Sequence, residues 1–151
     1  MAERILIVDD EECIRFTFAH FLRAEGYEVA CAANYDQGLE RMTTQSVDLV
    51  IADIVLGGQT GLQLVRQMRA LQLTCPVILI TGYPTIETAT EASRLGAYDY
   101  LLKPVRRDPL VQVTRKTLQR QKTQAQQERH QSHLEAIVGT VESATAQSIR
   151  L

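Results

Sequence analysis

Short apolar runs recur along the first hundred residues and alternate with segments of helical periodicity. The runs are rich in Val, Ile and Leu and cover residues 5–8, 27–31, 47–51, 77–80 and 98–102. Runs that are apolar on both faces are typical of buried parallel strands. Between them, apolar residues such as Ile14, Phe18 and Leu22 are three or four positions apart and so share one helical stripe. The pattern predicts a βα unit repeated five times.

This alternation predicts an α/β fold with a flavodoxin-like, doubly wound sheet of five parallel strands in the order 2-1-3-4-5. Right-handed crossover connections leave only a few topologies for such a chain, and this order is the one we favour. In doubly wound sheets, ligands bind beside the carboxyl ends of the strands, near the topological switch point. Functional residues are therefore expected in the loops that follow the strands.

The composition changes after Pro104. From Asp108 to about Leu134 the chain is polar and Gln-rich, and it contains no Gly and no Pro beyond Pro109, which predicts one extended C-terminal helix. Three apolar residues on this helix have heptad spacing: Val111, Leu118 and Ala125. We interpret the segment as a solvated helix with a weak dimer seam, and a direct nucleic-acid contact is the less favoured alternative.

The predicted domain organisation follows from this change. We expect a globular domain over residues 1–120 and a helical extension or linker over 121–151, which has too few apolar residues for a second core. The sequence contains no helix-turn-helix or ATPase motif. Two possibilities therefore remain open. The chain is a stand-alone domain, or it is a fragment whose output domain lies outside the sequence.

Composition and charge exclude several classes of protein. Of the 151 residues, 45% are hydrophobic and 23% are charged, as in a soluble globular domain, and the formal charge of -2 gives no bulk attraction to nucleic acid or anionic membranes. Cys13, Cys31 and Cys75 are widely spaced and odd in number, which argues against a disulfide framework and against a zinc site. No signal-peptide pattern and no membrane-length apolar run occur, so we expect a cytoplasmic protein without a membrane partner.

Polar residues with chemical potential follow four of the five predicted strands. They are Asp9 and Asp10 after strand one, Asp53 after strand three, Thr81 after strand four, and Lys103 with Pro104 after strand five. Carboxylates that converge there repel each other, since a like-charged pair about 4 Å apart costs roughly 4 kcal/mol at an effective dielectric near 20. Mg²⁺, or Mn²⁺ in its place, and the Lys103 ammonium would offset this repulsion. A carboxylate is also a competent nucleophile for phosphoryl transfer, which makes Asp53 the candidate nucleophile.

Each of these residues has a structural alternative when it is taken alone. Asp10 could cap the helix that begins near Glu11, and the Lys103-Pro104 pair could form an ordinary turn. The joint placement of all of them after four strands is what favours a phosphoryl-transfer site.

These motifs resemble those of the response-regulator receiver domains of two-component systems, over about residues 3–120. The resemblance is carried by Val8-Asp9-Asp10-Glu11, by Asp53 after the run 48–52, by Thr81-Gly82 and by Lys103-Pro104. It implies the following roles: Asp53 as phosphoacceptor, Asp9, Asp10, Asp53 and the backbone carbonyl of Val55 as ligands of the divalent cation, and Lys103 and Thr81 as partners of the phosphoryl oxygens. It also implies a cis peptide bond before Pro104.

Segments 81–89 and 95–104 are similar to the receivers of nitrogen-regulation-type transcriptional activators. Tyr100 matches the switch aromatic of the family, which turns inward when the Thr81 hydroxyl meets the phosphoryl group; the structural alternative is a tyrosine packed at the strand end. Val55 and Tyr83 occupy the positions that tune dephosphorylation, and because neither is a general base at neutral pH, slow self-dephosphorylation is expected. Gly57-Gly58 replaces the Met-Pro or Leu-Pro pair of many relatives and predicts a looser loop.

The resemblance implies a phosphorelay switch rather than an enzyme. A sensor histidine kinase would donate the phosphoryl group, and the face of the fourth helix, fifth strand and fifth helix would control an output domain or protein, including one that regulates transcription. A dehalogenase-type phosphatase would place Asp-x-Asp after the first strand, and a flavodoxin-like binding module would not carry the acidic run 9–12 there. A phosphorylation-independent scaffold of the same fold is the remaining alternative.

Overall fold

The computed structural model describes residues 2–149, except for the side chains at positions 130, 132, 133 and 140–149. Within these residues five strands alternate with five helices. The strands are β1 (Arg4–Val8), β2 (Glu28–Ala32), β3 (Leu49–Asp53), β4 (Val77–Thr81) and β5 (Asp99–Leu102). The helices are α1 (Glu12–Ala24), α2 (Tyr35–Thr44), α3 (Gly61–Ala70), α4 (Ile86–Arg94) and α5 (Arg107–Ile149).

The strands form one parallel sheet in the order β2-β1-β3-β4-β5, which confirms the predicted fold and strand order. Burial on both faces, expected for all five strands, holds for the three central ones. β2 and β5 are partly exposed because each lies at an edge and has a single neighbouring strand. The third strand begins and ends two residues later than predicted, so that Asp53 is its last residue.

Alternate residues of each central strand pack on opposite faces of the sheet, as the pleat requires. In β1, Leu6 and Val8 join the apolar cluster beneath α2, α3 and α4, whereas Ile5 and Ile7 join the cluster beneath α1 and the first turns of α5. The central strands are therefore clamped between two close-packed layers, which fixes the position of their carboxyl ends.

The chain divides into two compact units, residues 1–118 and 119–151. In the first unit, the turns of α5 up to Leu118 bury Leu110, Val111 and Thr114. The helix runs to Ile149, well beyond the predicted end near Leu134, and the predicted domain boundary at residue 120 stays a prediction. No helix within residues 2–149 combines the length and the apolar composition that a membrane span requires.

Candidate functional site

The carboxyl ends of four strands bring the predicted polar residues to one edge of the sheet. Asp9 directly follows β1, Asp53 and Thr81 are the last residues of β3 and β4, and Lys103 directly follows β5. The Lys103 ammonium lies 2.7 Å from Asp53 Oδ2 and 3.1 Å from Asp9 Oδ2. The peptide bond between Lys103 and Pro104 is cis. Lysine and the two acids thus form one contact cluster.

Four carboxylates meet at this edge. Asp9, Asp10, Glu11 and Asp53 each offer an oxygen, and these oxygens all lie within 4.8 Å of one another; Asp9 and Asp53 are buried, and the other two are exposed. Such a set of hard, anionic oxygen donors with an open side fits Mg²⁺, which keeps part of its water shell. The sequence prediction included three of these residues and missed Glu11, whose only signal was its place after two other acids.

Hydrogen bonds fix the orientation of the two buried carboxylates. Asp9 Oδ1 accepts the backbone N–H of Glu11 at 2.9 Å, and Asp53 Oδ1 accepts the backbone N–H of Val55 at 3.0 Å. Each acid is therefore held by the chain two residues further along, which leaves its second oxygen for Lys103. This geometry presents one oxygen of each carboxylate to the centre of the site.

The surroundings of the site raise the pKa of both Lys103 and Asp9, for different reasons. Burial of the Lys103 ammonium disfavours its charge, but the hydrogen bonds and charges of Asp53 and Asp9 outweigh burial and raise the pKa of Lys103 above its ordinary value. Burial raises the pKa of Asp9, because the Glu11 N–H and Lys103 only partly offset the cost of desolvating the carboxylate. Lys103 thus stays protonated at neutral pH, and Asp9 carries its charge at a cost that an added cation would relieve.

The backbone of Asp53 is in close contact with Gly61, the first residue of α3. A Cβ at position 61 would lie 2.3 Å from the carbonyl oxygen of Asp53, so only glycine fits there without a shift. The Gly61 N–H also donates to the carbonyl of Ile54 at 2.9 Å. Gly61 was not singled out from the sequence, because this contact depends on how the loop returns to the strand.

The loop between β3 and α3 contains the Gly57-Gly58 pair. Gly57 has a φ of +83°, a conformation that favours glycine, and an isolated antiparallel bridge joins Val55 to Thr60. The predicted looseness of this loop stays a prediction.

Thr81 is buried, and its hydroxyl oxygen accepts the backbone N–H of Tyr83 at 3.0 Å. Its own hydroxyl hydrogen is left to donate. The side chains of Val55 and Tyr83 are 46% and 77% exposed, so both stand at the solvent side of the loops they belong to. Their predicted effect on dephosphorylation stays a prediction.

Tyr100 lies on β5 and packs its ring against the apolar cluster beneath α4. Its hydroxyl is 2.9 Å from the hydroxyl of Thr88, on the first turn of α4. Thr88 was not among the predicted site residues, since nothing in the sequence indicates which α4 side chain reaches β5.

Comparison with known proteins agrees with the family resemblance seen in the sequence and with the observed fold. Residues 5–115 match the family model described as response regulator receiver domain. A putative response regulator NtrX-like of Rickettsia bellii is 44% identical over 71% of this chain and 23% of that protein. The alginate biosynthesis transcriptional regulatory protein AlgB of Pseudomonas syringae is 38% identical over 91% of this chain and 29% of that protein.

Among solved structures, a CheY-like response regulator receiver domain protein from Methanospirillum hungatei superposes with a TM-score of 0.79 at 31% identity, covering 82% of this chain and 99% of that one. The chain spans about a quarter of the length of the curated relatives it matches. The similarity therefore concerns one domain of those longer proteins.

Proposed function

Because the chain belongs to the response regulator receiver family, whose role is phosphorelay signal transduction, we propose that Asp53 accepts a phosphoryl group from a phosphohistidine of a sensor kinase. The observation that carries this proposal is the Lys103 ammonium, held between Asp53 and Asp9 at the carboxyl edge of the sheet. In the transfer, a carboxylate oxygen of Asp53 forms the new bond to phosphorus while the bond from phosphorus to the histidine nitrogen breaks. The proton taken up by the leaving imidazole comes from solvent.

Each residue of the cluster has a part that its present contacts support. Lys103 neutralises the acids at rest and would exchange its Asp53 contact for a phosphoryl oxygen after transfer. Thr81 uses its oxygen to accept the Tyr83 N–H, so its hydroxyl hydrogen is available for a phosphoryl oxygen. The Val55 N–H holds one oxygen of Asp53 and thereby orients the other for attack.

The carboxylates of Asp9, Asp10 and Asp53, with the backbone carbonyl of Val55, would hold Mg²⁺, and Mn²⁺ suits the same donors. When bound, the ion neutralises these acids and the oxygens of the transferring group. This part of the proposal is supported by the donor set and by the raised pKa of Asp9, whose buried charge a cation would stabilise.

The output of the switch is proposed to lie on the surface formed by α4, β5 and the first turns of α5, with Thr81 and Tyr100 as the coupling residues. The partner is an output domain or protein, and transcription regulation, carried out in the cytoplasm, is the output we favour. A homodimer stays a proposal, but the heptad seam predicted on α5 does not support it, because Val111 and Leu118 are buried within the first unit and are not available to a partner. The domain itself is modified once per signal and is not proposed to turn over a substrate.

Intact-mass analysis after incubation with acetyl phosphate and Mg²⁺ tests the proposal. We expect one phosphoryl adduct on the wild type and on Asp36→Asn, a control that removes a carboxylate in the first turn of α2, outside the cluster of four acids. Asp53→Asn and a chelator should each abolish the adduct. No adduct on the wild type would favour the phosphorylation-independent scaffold, and sustained hydrolysis of a phosphate monoester would favour an aspartyl phosphatase.

A further inference from the structure

The hydroxyl of Thr88 joins the N-terminus of α4 to Tyr100. Its oxygen lies 2.9 Å from the Tyr100 hydroxyl, 2.9 Å from the Thr85 hydroxyl and 3.1 Å from the Thr85 carbonyl. The backbone N–H of Thr85 donates to it at 3.3 Å. Thr85 is the N-cap of α4 and Thr88 is the third residue of the helix, so the pair forms a reciprocal capping box that also contacts β5.

A hydroxyl has one hydrogen to donate and two lone pairs to accept with. The Thr85 N–H takes one lone pair of Thr88, and the single Thr88 hydrogen is directed to a Thr85 oxygen. The second lone pair is then filled by the Tyr100 O–H. With Tyr100 as the donor, the one hydrogen and both lone pairs of the Thr88 hydroxyl are all used, which makes the tyrosine part of the helix cap.

The rest of α4 is weakly anchored. Among residues 86–94, Ala92 alone is buried, and Ile86 is 85% exposed. The far end is tied by Arg69, whose guanidinium donates to the carbonyl of Leu95 at 3.4 Å and to that of Leu73 at 3.0 Å. The polar contacts at the two ends thus differ, since the first turn depends on Thr88 and the last turn on Arg69.

We propose that Thr88 is a latch: its hydrogen bond to Tyr100 holds the tyrosine in its present position, and the first turn of α4 is released only when this bond breaks. The inference rests on the proposed function, in which Tyr100 is the switch aromatic. A bond made in one of two conformations shifts their equilibrium by its net strength. Removal of the latch should therefore favour the alternative conformation and with it the binding of a phosphoryl mimic.

A double-mutant cycle with Thr88→Val and Tyr100→Phe tests the latch, with beryllofluoride as the phosphoryl mimic in the presence of Mg²⁺. A net hydrogen bond of ordinary strength corresponds to about a twofold to tenfold change in an equilibrium constant. We expect each single variant to tighten beryllofluoride binding by about this factor, and the double variant to tighten it no further than the stronger single one. Amide exchange of residues 86–89 in the unmodified protein should be faster in all three variants.

Two matched variants separate the latch from general effects on the helix. Thr88→Ser keeps the hydroxyl and should stay close to the wild type in both measurements. Thr90→Val makes the same chemical change at an exposed position of the same helix and should have no effect. The latch is wrong if Thr88→Val behaves like Thr90→Val, or if the effects of Thr88→Val and Tyr100→Phe multiply independently.

The two proposals fail in different ways. If beryllofluoride binds the wild type and Thr88→Val changes nothing, the latch is refuted while the phosphoacceptor proposal stands. If beryllofluoride does not bind the wild type, the phosphoacceptor proposal is refuted, and the amide exchange of residues 86–89 still decides whether Thr88 and Tyr100 hold the helix.

Discussion

β4 and α4 follow each other along the chain, but they are held in place by different forces. Each of the five residues of β4 is buried, and its side chains enter the apolar clusters on both faces of the sheet. Within Ile86–Arg94, by contrast, one residue is buried, and polar contacts at Thr88, Glu91 and Leu95 connect α4 to its neighbours. The strand that carries Thr81 is thus wholly part of the core, whereas the helix that follows it contributes only Ala92 to the core.

This difference between β4 and α4 matches two separate tasks, phosphoryl transfer at the strand ends and signal output at the surface of the helix. Phosphoryl transfer requires groups that stay in place, and Asp53 and Thr81 lie at the ends of strands that cannot shift without disturbing two packed layers. A surface that changes with phosphorylation requires contacts that are weak enough to exchange. Hydrogen bonds contribute about 0.5–1.5 kcal/mol net, whereas truncating a large buried side chain costs about 2–5 kcal/mol. Moving α4 is therefore far less costly than moving β4.

The largest expected effect on stability comes from truncating one large apolar side chain to alanine in each of the two elements. Leu79→Ala in β4 should lower the free energy of unfolding by about 2–5 kcal/mol, since Leu79 is fully buried and its loss leaves a cavity. Ile86→Ala in α4 should change it by less than about 0.5 kcal/mol, because Ile86 is exposed. Urea denaturation of both variants measures the difference. Equal losses would show that α4 is as much a part of the core as β4.

A second substitution examines the rigidity of the strand ends. Gly61→Ala places a methyl group against the backbone of Asp53, so we expect a loss of about 1–3 kcal/mol in stability and slower phosphorylation by acetyl phosphate. Gly58→Ala is the matched control: a Cβ there meets no atom within 4 Å, and its stability should stay constant or rise slightly. If Gly61→Ala keeps the phosphorylation rate of the wild type, Asp53 tolerates displacement and the contrast with α4 weakens.

A third prediction concerns the charge of Asp9, which directly follows the buried strand β1. Burial raises the pKa of Asp9, so the folded protein holds this proton more tightly than the unfolded chain does. The stability this provides is present below the ordinary pKa of an aspartic acid and is lost as the pH rises through the raised folded value. In the presence of a chelator at neutral pH, Asp9→Asn should therefore raise the free energy of unfolding by on the order of 1 kcal/mol.

That interpretation is checked by measuring the free energy of unfolding of Asp9→Asn and of the wild type over a series of pH values. The gain of Asp9→Asn over the wild type should shrink as the pH falls through the raised folded pKa of Asp9 and disappear below the ordinary pKa of an aspartic acid, where the wild-type carboxyl is neutral in both the folded and the unfolded state. Asp36→Asn, at an exposed position, should show no comparable gain. A gain that is independent of pH would mean that the amide packs better than the carboxyl and that charge plays no part.

The positions of the reacting groups could be predicted because they depend on topology. Parallel strands end at one edge, so Asp9, Asp53, Thr81 and Lys103 are brought together once the strand order is known. Periodicity also predicts which face of a helix is buried. It does not indicate how far the buried stripe extends at the edge of a sheet, which is why β2 and β5 are more exposed than expected.

What the sequence analysis missed depends on contacts between individual side chains. Glu11 reaches Lys103 across 92 positions of the chain, and Thr88 meets Tyr100 through the packing of a helix on an edge strand. Gly61 is required by the backbone of Asp53, a close approach that no local pattern signals. Each of these interactions needs the distance between two particular atoms, which neither hydrophobic periodicity nor residue type supplies.

The smallest expected effect extends the comparison to α5. Thr114, in the first unit, is fully buried, and its hydroxyl has no hydrogen-bond partner among the described residues. Thr114→Val removes this hydroxyl at nearly constant shape, so we expect a gain in stability of up to about 1 kcal/mol by thermal or urea unfolding. Thr117→Val is the control, since the Thr117 hydroxyl donates to the Val113 carbonyl at 2.7 Å and its removal should bring no gain.

Thr114→Val and Thr88→Val make the same chemical change in two helices of the same unit. We expect them to differ in their effect on beryllofluoride binding. The Thr114 variant should be more stable and should bind beryllofluoride as the wild type does, because the first turns of α5 are held by apolar packing. The Thr88 variant should bind beryllofluoride more tightly, because α4 is held by hydrogen bonds. If Thr114→Val also changes beryllofluoride binding, then the first turns of α5 change conformation with α4 and are not only a fixed part of the proposed output surface.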